Sequence, residues 1–432
     1  MRKTALLTFA ISLSASGFVT AADIDNLALF TPDMTEAHLA GTLDSDLNLL
    51  DALPSVEPFW RDLVNSGDVA PDGTGVYVAV LDTGLLDQWQ GFFSQANIAD
   101  EYGKGFSYDI YCEGESLVID ELDDTRGFNT VFASGHGTHV ASTVAGFNYN
   151  DTYWIEGVAP GATIIPVLVL DAWIVVGECV EGGIAGFSGG TDEMIAAGIK
   201  YVADLKANEL EGAPTVINMS LGGPSRSAEI EAAVDYAIEK GVIVVASGGN
   251  EGSDGMGYPG GLEQIISAGA AGWASMFNYG WGGDAPERLN KKDELGNTRP
   301  VYLENFSSRP NKYLDQKHQD LDVTAPGAWV VGPYKSAFAN NTGYYYLSGT
   351  SMAAPHVSAM AALLLDEYPT IEQFEMEDIL SLGAAGSPLP ASDAYVAFPF
   401  EEPYYYICTW DGGDYGAGFL QADNALKAAR GY

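Results

Sequence analysis

Four short aliphatic runs punctuate the chain: Val76-Tyr77-Val78-Ala79-Val80-Leu81, Thr163 to Leu170, Thr215-Val216-Ile217-Asn218-Met219 and Val242 to Val245. None contains a charge, and each is bounded by polar or glycine-rich sequence. This is the pattern of a strand covered on both faces. Between and after the runs the spacing changes. From Ser227 to Lys240, Ile230, Val234, Ala237 and Ile238 fall on one helical face, with Glu229, Glu231, Asp235 and Glu239 elsewhere on the turn. Strand and helix therefore alternate, which predicts an α/β fold: a doubly wound, mostly parallel sheet with helices on both faces. Such sheets carry their chemistry just past the carboxyl ends of their strands, so the polar residues there are the candidates.

Asp82, in Leu81-Asp82-Thr83-Gly84, follows the first run directly; a carboxylate so close to a core must be paired or hydrogen-bonded. His136 opens a small-residue helix in Ser134-Gly135-His136-Gly137-Thr138-His139-Val140-Ala141. Its spacing from His139 is not the H-E-x-x-H of a zinc site, because no Glu follows His136. Ser247-Gly248-Gly249-Asn250-Glu251-Gly252 comes after the Val242 run and offers an amide in a glycine-rich loop. Gly349-Thr350-Ser351-Met352-Ala353-Ala354-Pro355-His356 puts Ser351 at a predicted helix N-terminus, where free N–H groups favour developing negative charge. Taken singly, these are a turn residue, a pair of histidines that could be metal ligands, a Gly/Asn turn and an N-cap. Their order and placement together point to nucleophilic catalysis.

Composition narrows the partners. The 432 residues carry a formal net charge of −40, which repels phosphate backbones and anionic head groups, so neither nucleic acid nor a membrane is an expected partner. With 47% apolar residues the chain has ample material for a core. The first 22 residues read as a signal peptide: Arg2 and Lys3, an apolar stretch from Ala5 to Val19, then small residues with cleavage near Ala21 or Ala22. A secreted, monomeric protein is expected, with residues 23–54 as an N-terminal extension or short leader and 55–432 as one catalytic domain. Of the three cysteines, a Cys112–Cys179 bridge is the expected pair, both lying in Gly- and acid-rich stretches; sequence leaves the two pairings with Cys408 open. A surface this acidic repels itself, and salt near ~1 M shortens the screening length to ~3 Å, so the melting temperature should rise with salt, as in an enzyme from a saline setting.

On these motifs the chain resembles the subtilisin-like serine peptidases. Supporting matches are Val216-Ile217-Asn218-Met219-Ser220-Leu221-Gly222-Gly223, Gly257-Tyr258-Pro259-Gly260, Asp322-Val323-Thr324-Ala325-Pro326-Gly327 and Gly416-Ala417-Gly418. The Asp, His, Ser chain order is that of the subtilisins. The resemblance implies an endopeptidase of broad specificity acting on protein or peptide substrates. It makes Ser351 the nucleophile, His136 the base, Asp82 its orienting partner and Asn250 the oxyanion donor. Ser220, Leu221 and Gly222 become the edge that pairs with an extended substrate, and Ser247, Gly248 and Gly249 the lining of a roomy pocket for large apolar side chains. His139, about one turn from His136, is assigned to structure.

The same resemblance implies structural Ca²⁺. Asp120, Glu121, Asp123 and Asp124 form an oxygen-rich cluster of the kind calcium takes, and Asn148 to Glu156 lies where relatives bind it, although no ligand set carries over. Intervals longer than in compact members place insertions at 100–132, 171–190, 274–303 (holding Gly280-Trp281-Gly282-Gly283-Asp284) and 384–410 (holding Tyr404-Tyr405-Tyr406). The alternative to an active enzyme is a catalytically silent homologue that binds peptide or polymer. An α/β-hydrolase esterase is disfavoured, because Ala353 replaces the second Gly of Gly-x-Ser-x-Gly and Ser351 comes last. His136 and Asn250 likewise disfavour an acid-active Ser-Glu-Asp relative.

Overall fold

The computed structural model describes residues 53–130, 133, 135–273, 301–335, 342–387, 389, 394–397 and 405–432. The expected signal peptide, nearly all of the 23–54 segment, the Gly280 to Asp284 stretch and Tyr404 lie outside the described residues.

In chain order the strands that matter are β1 (Tyr77–Asp82), β2 (Lys104–Ser107), β3 (Ile110–Glu113), β4 (Ser116–Ile119), β5 (Asp123–Arg126), β6 (Thr163–Leu168), β7 (Asp171–Val176) and β8 (Ile184–Gly189). They continue with β9 (Thr215–Met219), β10 (Ile243–Ser247), β11 (Ile266–Trp273), β12 (Val301–Leu303), β13 (Val323–Pro326), β14 (Val330–Tyr334) and β15 (Gly343–Leu347). The helices are α1 (His136–Ala145), α2 (Asp192–Asn208), α3 (Ala228–Glu239), α4 (Thr350–Glu367), α5 (Gln373–Ala385) and α6 (Ala422–Ala429). Among the described residues nine strands form the central sheet, in the order β12-β11-β10-β9-β1-β6-β2-β5, with β13 also paired to β11. It is parallel except at β12 and β5.

Each aliphatic run serves two cores. Val78 and Val80 of β1, Val216 of β9 and Ile243 and Val245 of β10 face a cluster with Val140 and Val144 of α1 and Met352, Val357 and Met360 of α4. The alternate residues Ala79, Leu81, Ile217, Met219, Val244 and Ala246 face Ile195, Ile199 and Val202 of α2 and Ile230 and Val234 of α3. Successive side chains of a strand point to opposite faces, so a run buried on both sides needs apolar residues at every position. In α3, Ile230, Ala233, Val234 and Ala237 are buried; Ile238, expected on that face, is only partly buried against it. The doubly wound expectation holds, and the first strand runs one residue further than its aliphatic pattern, to include Asp82.

The early insertions take definite form. Residues 104–126 build β2, β5 and the β3–β4 hairpin, and 171–189 build the β7–β8 hairpin. Cys112 and Cys179 are disulfide-bonded, with Cα atoms 5.5 Å apart, and Cys408 is a buried free thiol. Burial pushes that thiol well above the ordinary cysteine range. Among the described residues, no helix is long and apolar enough to cross a membrane.

Candidate active site

The candidates gather where parallel strands end. Asp82 closes β1, Ser220 follows β9, Ser247 closes β10, and Ser351 is the second residue of α4, which packs against β9, β10 and α1. Asp82 is fully buried, and both of its oxygens contact Nδ1 of His136, at 2.8 and 2.9 Å. Oδ1 also accepts the Thr83 N–H at 2.6 Å. A carboxylate can only accept, so the imidazole proton sits on Nδ1 and Nε2 keeps its lone pair. Among the described residues Nε2 has no hydrogen-bond partner, which leaves it available as a base.

The two motifs are knitted by short contacts. Thr83 Oγ1 accepts the Gly137 N–H at 2.9 Å, and Thr138 Oγ1 accepts the Leu86 N–H at 2.9 Å. A Cβ at Gly137 would meet the Gly84 carbonyl at 2.4 Å, so only glycine lets α1 start this close to β1. His139 is buried and structural, as expected: Nε2 donates to the carbonyls of Val330 (3.1 Å) and Tyr345 (3.3 Å), tying α1 to the β14–β15 hairpin. Burial, with help from the neighbouring His136, lowers its pKa to about 3.

Ser351 Oγ donates to the Ser220 carbonyl at 3.3 Å, and no hydrogen bond joins it to His136. Substrate-free serine–histidine contacts are often loose, and a change of serine rotamer redirects the hydroxyl. The backbone N–H of Ser351 lies in the first turn of α4, where helix donors lack intrahelical acceptors. Asn250 is held beside it: Oδ1 accepts the Thr350 N–H at 2.9 Å and the Thr350 hydroxyl at 3.1 Å. A backbone N–H needs an acceptor, so this contact fixes which end of the amide is oxygen and leaves Nδ2 as a free donor. Thr350 Oγ1 in turn accepts the Gly249 N–H at 3.1 Å, and Gly249 takes a φ of +108° that favours glycine.

Three residues to which sequence reasoning assigned no role, Pro355, Asn218 and Ser358, act together with Ser220 to fix the backbone at Ser351. Pro355 lies inside α4 and has no N–H, so the carbonyl four residues earlier, that of Ser351, loses its helical donor. Ser220 Oγ replaces it, donating to Ser351 O at 2.7 Å. Asn218 Nδ2 donates to Ser220 Oγ at 3.0 Å, and Ser358 donates to Asn218 Oδ1 at 2.8 Å. The readable signals were a polar residue inside the otherwise apolar β9 and a proline one turn past a serine. Neither signal says that the two meet.

A cavity of about 470 Å³ opens beside Ser351, walled by Leu170, Ser220, Leu221, Gly222, Ser247, Gly249, Asn250 and Met256, with Glu251 and Asp254 also on its lining. Gly248, expected in the wall, is not among the residues that line this cavity; its N–H donates to Ala268 and its carbonyl accepts from Gly257. The expected acidic cluster does not converge. Asp123 caps Thr125 and meets Arg126, Asp124 lies 3.7 Å from Lys104, and Asn148 and Asp151 close on each other. Among the described residues, no group of three or more His, Cys, Asp or Glu side chains is placed to hold a metal ion.

Comparison with known proteins agrees with this geometry. Residues 73–396 match the model of the Subtilase family. Subtilisin DY of Bacillus licheniformis is 33% identical over 331 residues, covering 75% of this chain and 90% of that protein. An extracellular protease of Xanthomonas campestris pv. campestris is 29% identical over 448 residues; the match covers 96% of this chain and 60% of the relative's length. Among solved structures, the S41 psychrophilic protease superposes with a TM-score of 0.52 at 25% identity, over 84% of this chain and 96% of that one. The chain belongs to the subtilase family and is a subtilisin-like serine peptidase.

Proposed function

We propose that residues 55–432 act as a secreted serine endopeptidase in which Asp82, His136 and Ser351 form the catalytic triad. The observation that carries this reading is the double contact of Asp82 with His136 Nδ1, at 2.8 and 2.9 Å, on a helix packed against the one whose second residue is Ser351. Rotation of the Ser351 side chain away from Ser220 O brings its proton to His136 Nε2. Oγ then attacks the scissile carbonyl carbon, and the imidazolium that forms is stabilised by Asp82. Negative charge developing on the carbonyl oxygen is met by Asn250 Nδ2 and the Ser351 N–H, both preoriented. Collapse expels the amine with the proton from His136, and water, activated by the same base, releases the acyl group.

Pocket shape supports a preference for a large apolar residue before the scissile bond, with Leu170 and Met256 supplying apolar wall and the Ser220-Leu221-Gly222 edge pairing with the substrate main chain. Hydrolysis of a phenylalanine-ending tetrapeptide anilide, lost in Ser351→Ala, tests the activity. A peptide-library survey returning only small or acidic residues at that position refutes the preference. Structural calcium stays part of the proposal without a ligand set; a melting temperature unchanged by EDTA removes it.

A further inference from the structure

Six of the eleven large apolar side chains that are exposed among the described residues lie on two neighbouring hairpins: Tyr111, Leu117 and Ile119 on β3–β4, and Ile174, Val176 and Ile184 on β7–β8. The concentration is not a by-product of strand composition. Val176 pairs directly with Ile184, and Ile174 lies two residues earlier, so these three share one face of the ladder. They are 41–67% exposed. The opposite face is anchored: Val175 is buried, and Trp173 Nε1 donates to the Tyr108 carbonyl at 2.8 Å. A patch of this kind on a soluble surface marks an interaction site.

The hairpins are held as one platform. The Cys112–Cys179 disulfide joins β3 to the loop after β7, and β3 packs against β7. A Cβ at Gly177 would lie 2.7 Å from Cys112 Sγ, so the approach is close. The base of the platform adjoins the cleft. Leu170, a wall residue of the pocket, immediately precedes Asp171, the first residue of β7. Asp171 is fixed there by the Ser107 hydroxyl at 2.6 Å.

From this placement we propose that the outer face of β7–β8, on a hairpin rooted at the pocket-wall residue Leu170, is an exosite for an extended, apolar segment of a protein substrate. The inference rests on the peptidase reading above. Two features select this occupant. The strand that carries the face springs from the pocket wall, one residue after Leu170, and a short ladder with open edges suits an extended chain. Net charge opposes the others: at −40 a second copy is repelled, as is an anionic lipid surface.

The test uses Ser351→Ala protein, which cannot consume its probe, and fluorescently labelled β-casein as an unfolded apolar substrate. Adding Ile174→Thr, Val176→Thr and Ile184→Thr keeps β propensity while removing apolar surface. The expected result is a Kd for β-casein weakened about tenfold, with an unchanged melting temperature and, in the active background, tetrapeptide-anilide turnover within about twofold of the parent. Val176→Glu alone, at the most exposed position, repeats the test should the triple variant melt early. Equal β-casein affinity overturns the exosite, as does a sedimentation shift from dimer to monomer, which would make the face a contact between copies. Failure of the parent to turn over the tetrapeptide would instead sink the catalytic reading, because the binding arm is read without turnover.

Discussion

The cleft edge and the clamped hairpins are built on opposite plans. At the edge, buried or half-buried polar groups are tethered: Asp82 to His136 and Thr83, Asn250 to Thr350, Ser220 to Ser351 and Asn218, and Asn218 in turn to Ser358. On the hairpins, Ile174, Val176 and Ile184 stand exposed, held by pairing and one disulfide. A buried polar atom without a partner is costly, so the edge is rigid by construction and intolerant of change. Exposed aliphatic positions carry no such penalty, so substitutions there should be nearly silent for folding and felt only where a partner lands.

The largest expected effect falls at the edge. His136→Ala should lower kcat by roughly 10⁵-fold or more, the scale of losing a triad member in subtilisin, with KM for the tetrapeptide anilide little changed. Steady-state kinetics on the folded variant checks it, and a loss under tenfold would remove His136 from the chemistry. Asn250→Leu should cost about 100- to 1000-fold in kcat, again on the subtilisin precedent, because only the charged intermediate is affected. A rise in KM at constant kcat would make Asn250 a ground-state contact instead.

A smaller effect sharpens the comparison from inside the tethered network. Ser220→Ala leaves the Ser351 carbonyl without its donor and should lower stability by about 1–3 kcal/mol in urea unfolding. Pro355→Ala returns a backbone N–H to the same carbonyl, so the double variant should recover part of that loss. Strict additivity in this cycle would show that Pro355 and Ser220 do not share the carbonyl.

The mildest prediction concerns pH. His139 and His356 are completely buried, and burial lowers their pKa to about 3 and about 4. Both values lie below the unfolded value of about 6.5. Between these limits the unfolded chain binds more protons than the folded one. The stability held by the neutral rings is therefore present above pH ~6.5 and falls as pH drops toward 4, by up to about 1.4 kcal/mol per pH unit for each ring. Burial, reinforced by Glu377, raises the pKa of Asp322. That gives the opposite sign: stability present at low pH and lost as pH rises through the raised value. Urea midpoints from pH 7 to 4 should show a shallower slope in His356→Gln than in the parent.

How much was legible follows from the same contrast. Runs buried on both faces announce themselves by continuous aliphatic character, so β1, β6, β9 and β10 and the doubly wound layout could be read directly. Asp82, His136, Asn250 and Ser351 were legible because each belongs to a motif at a strand end or helix start. Gly248 was grouped with Gly249 because sequence does not tell which of two adjacent glycines faces a pocket; of the two, Gly249 lines the cavity beside Ser351. The Pro355, Ser220, Asn218 and Ser358 linkage was invisible, because it joins residues up to 140 positions apart through a carbonyl made vacant by a missing N–H. The acidic run at 120–124 reads in sequence as one oxygen-rich cluster, whereas in the fold two of its carboxylates have cationic neighbours, Asp123 at Arg126 and Asp124 at Lys104.

The most direct test of the account is the intact mass of the folded protein before and after a fluorophosphonate, beside Ser351→Ala. The account predicts one adduct on the parent and none on the variant. No adduct on the folded parent, or an adduct that persists in Ser351→Ala, would contradict an activated Ser351.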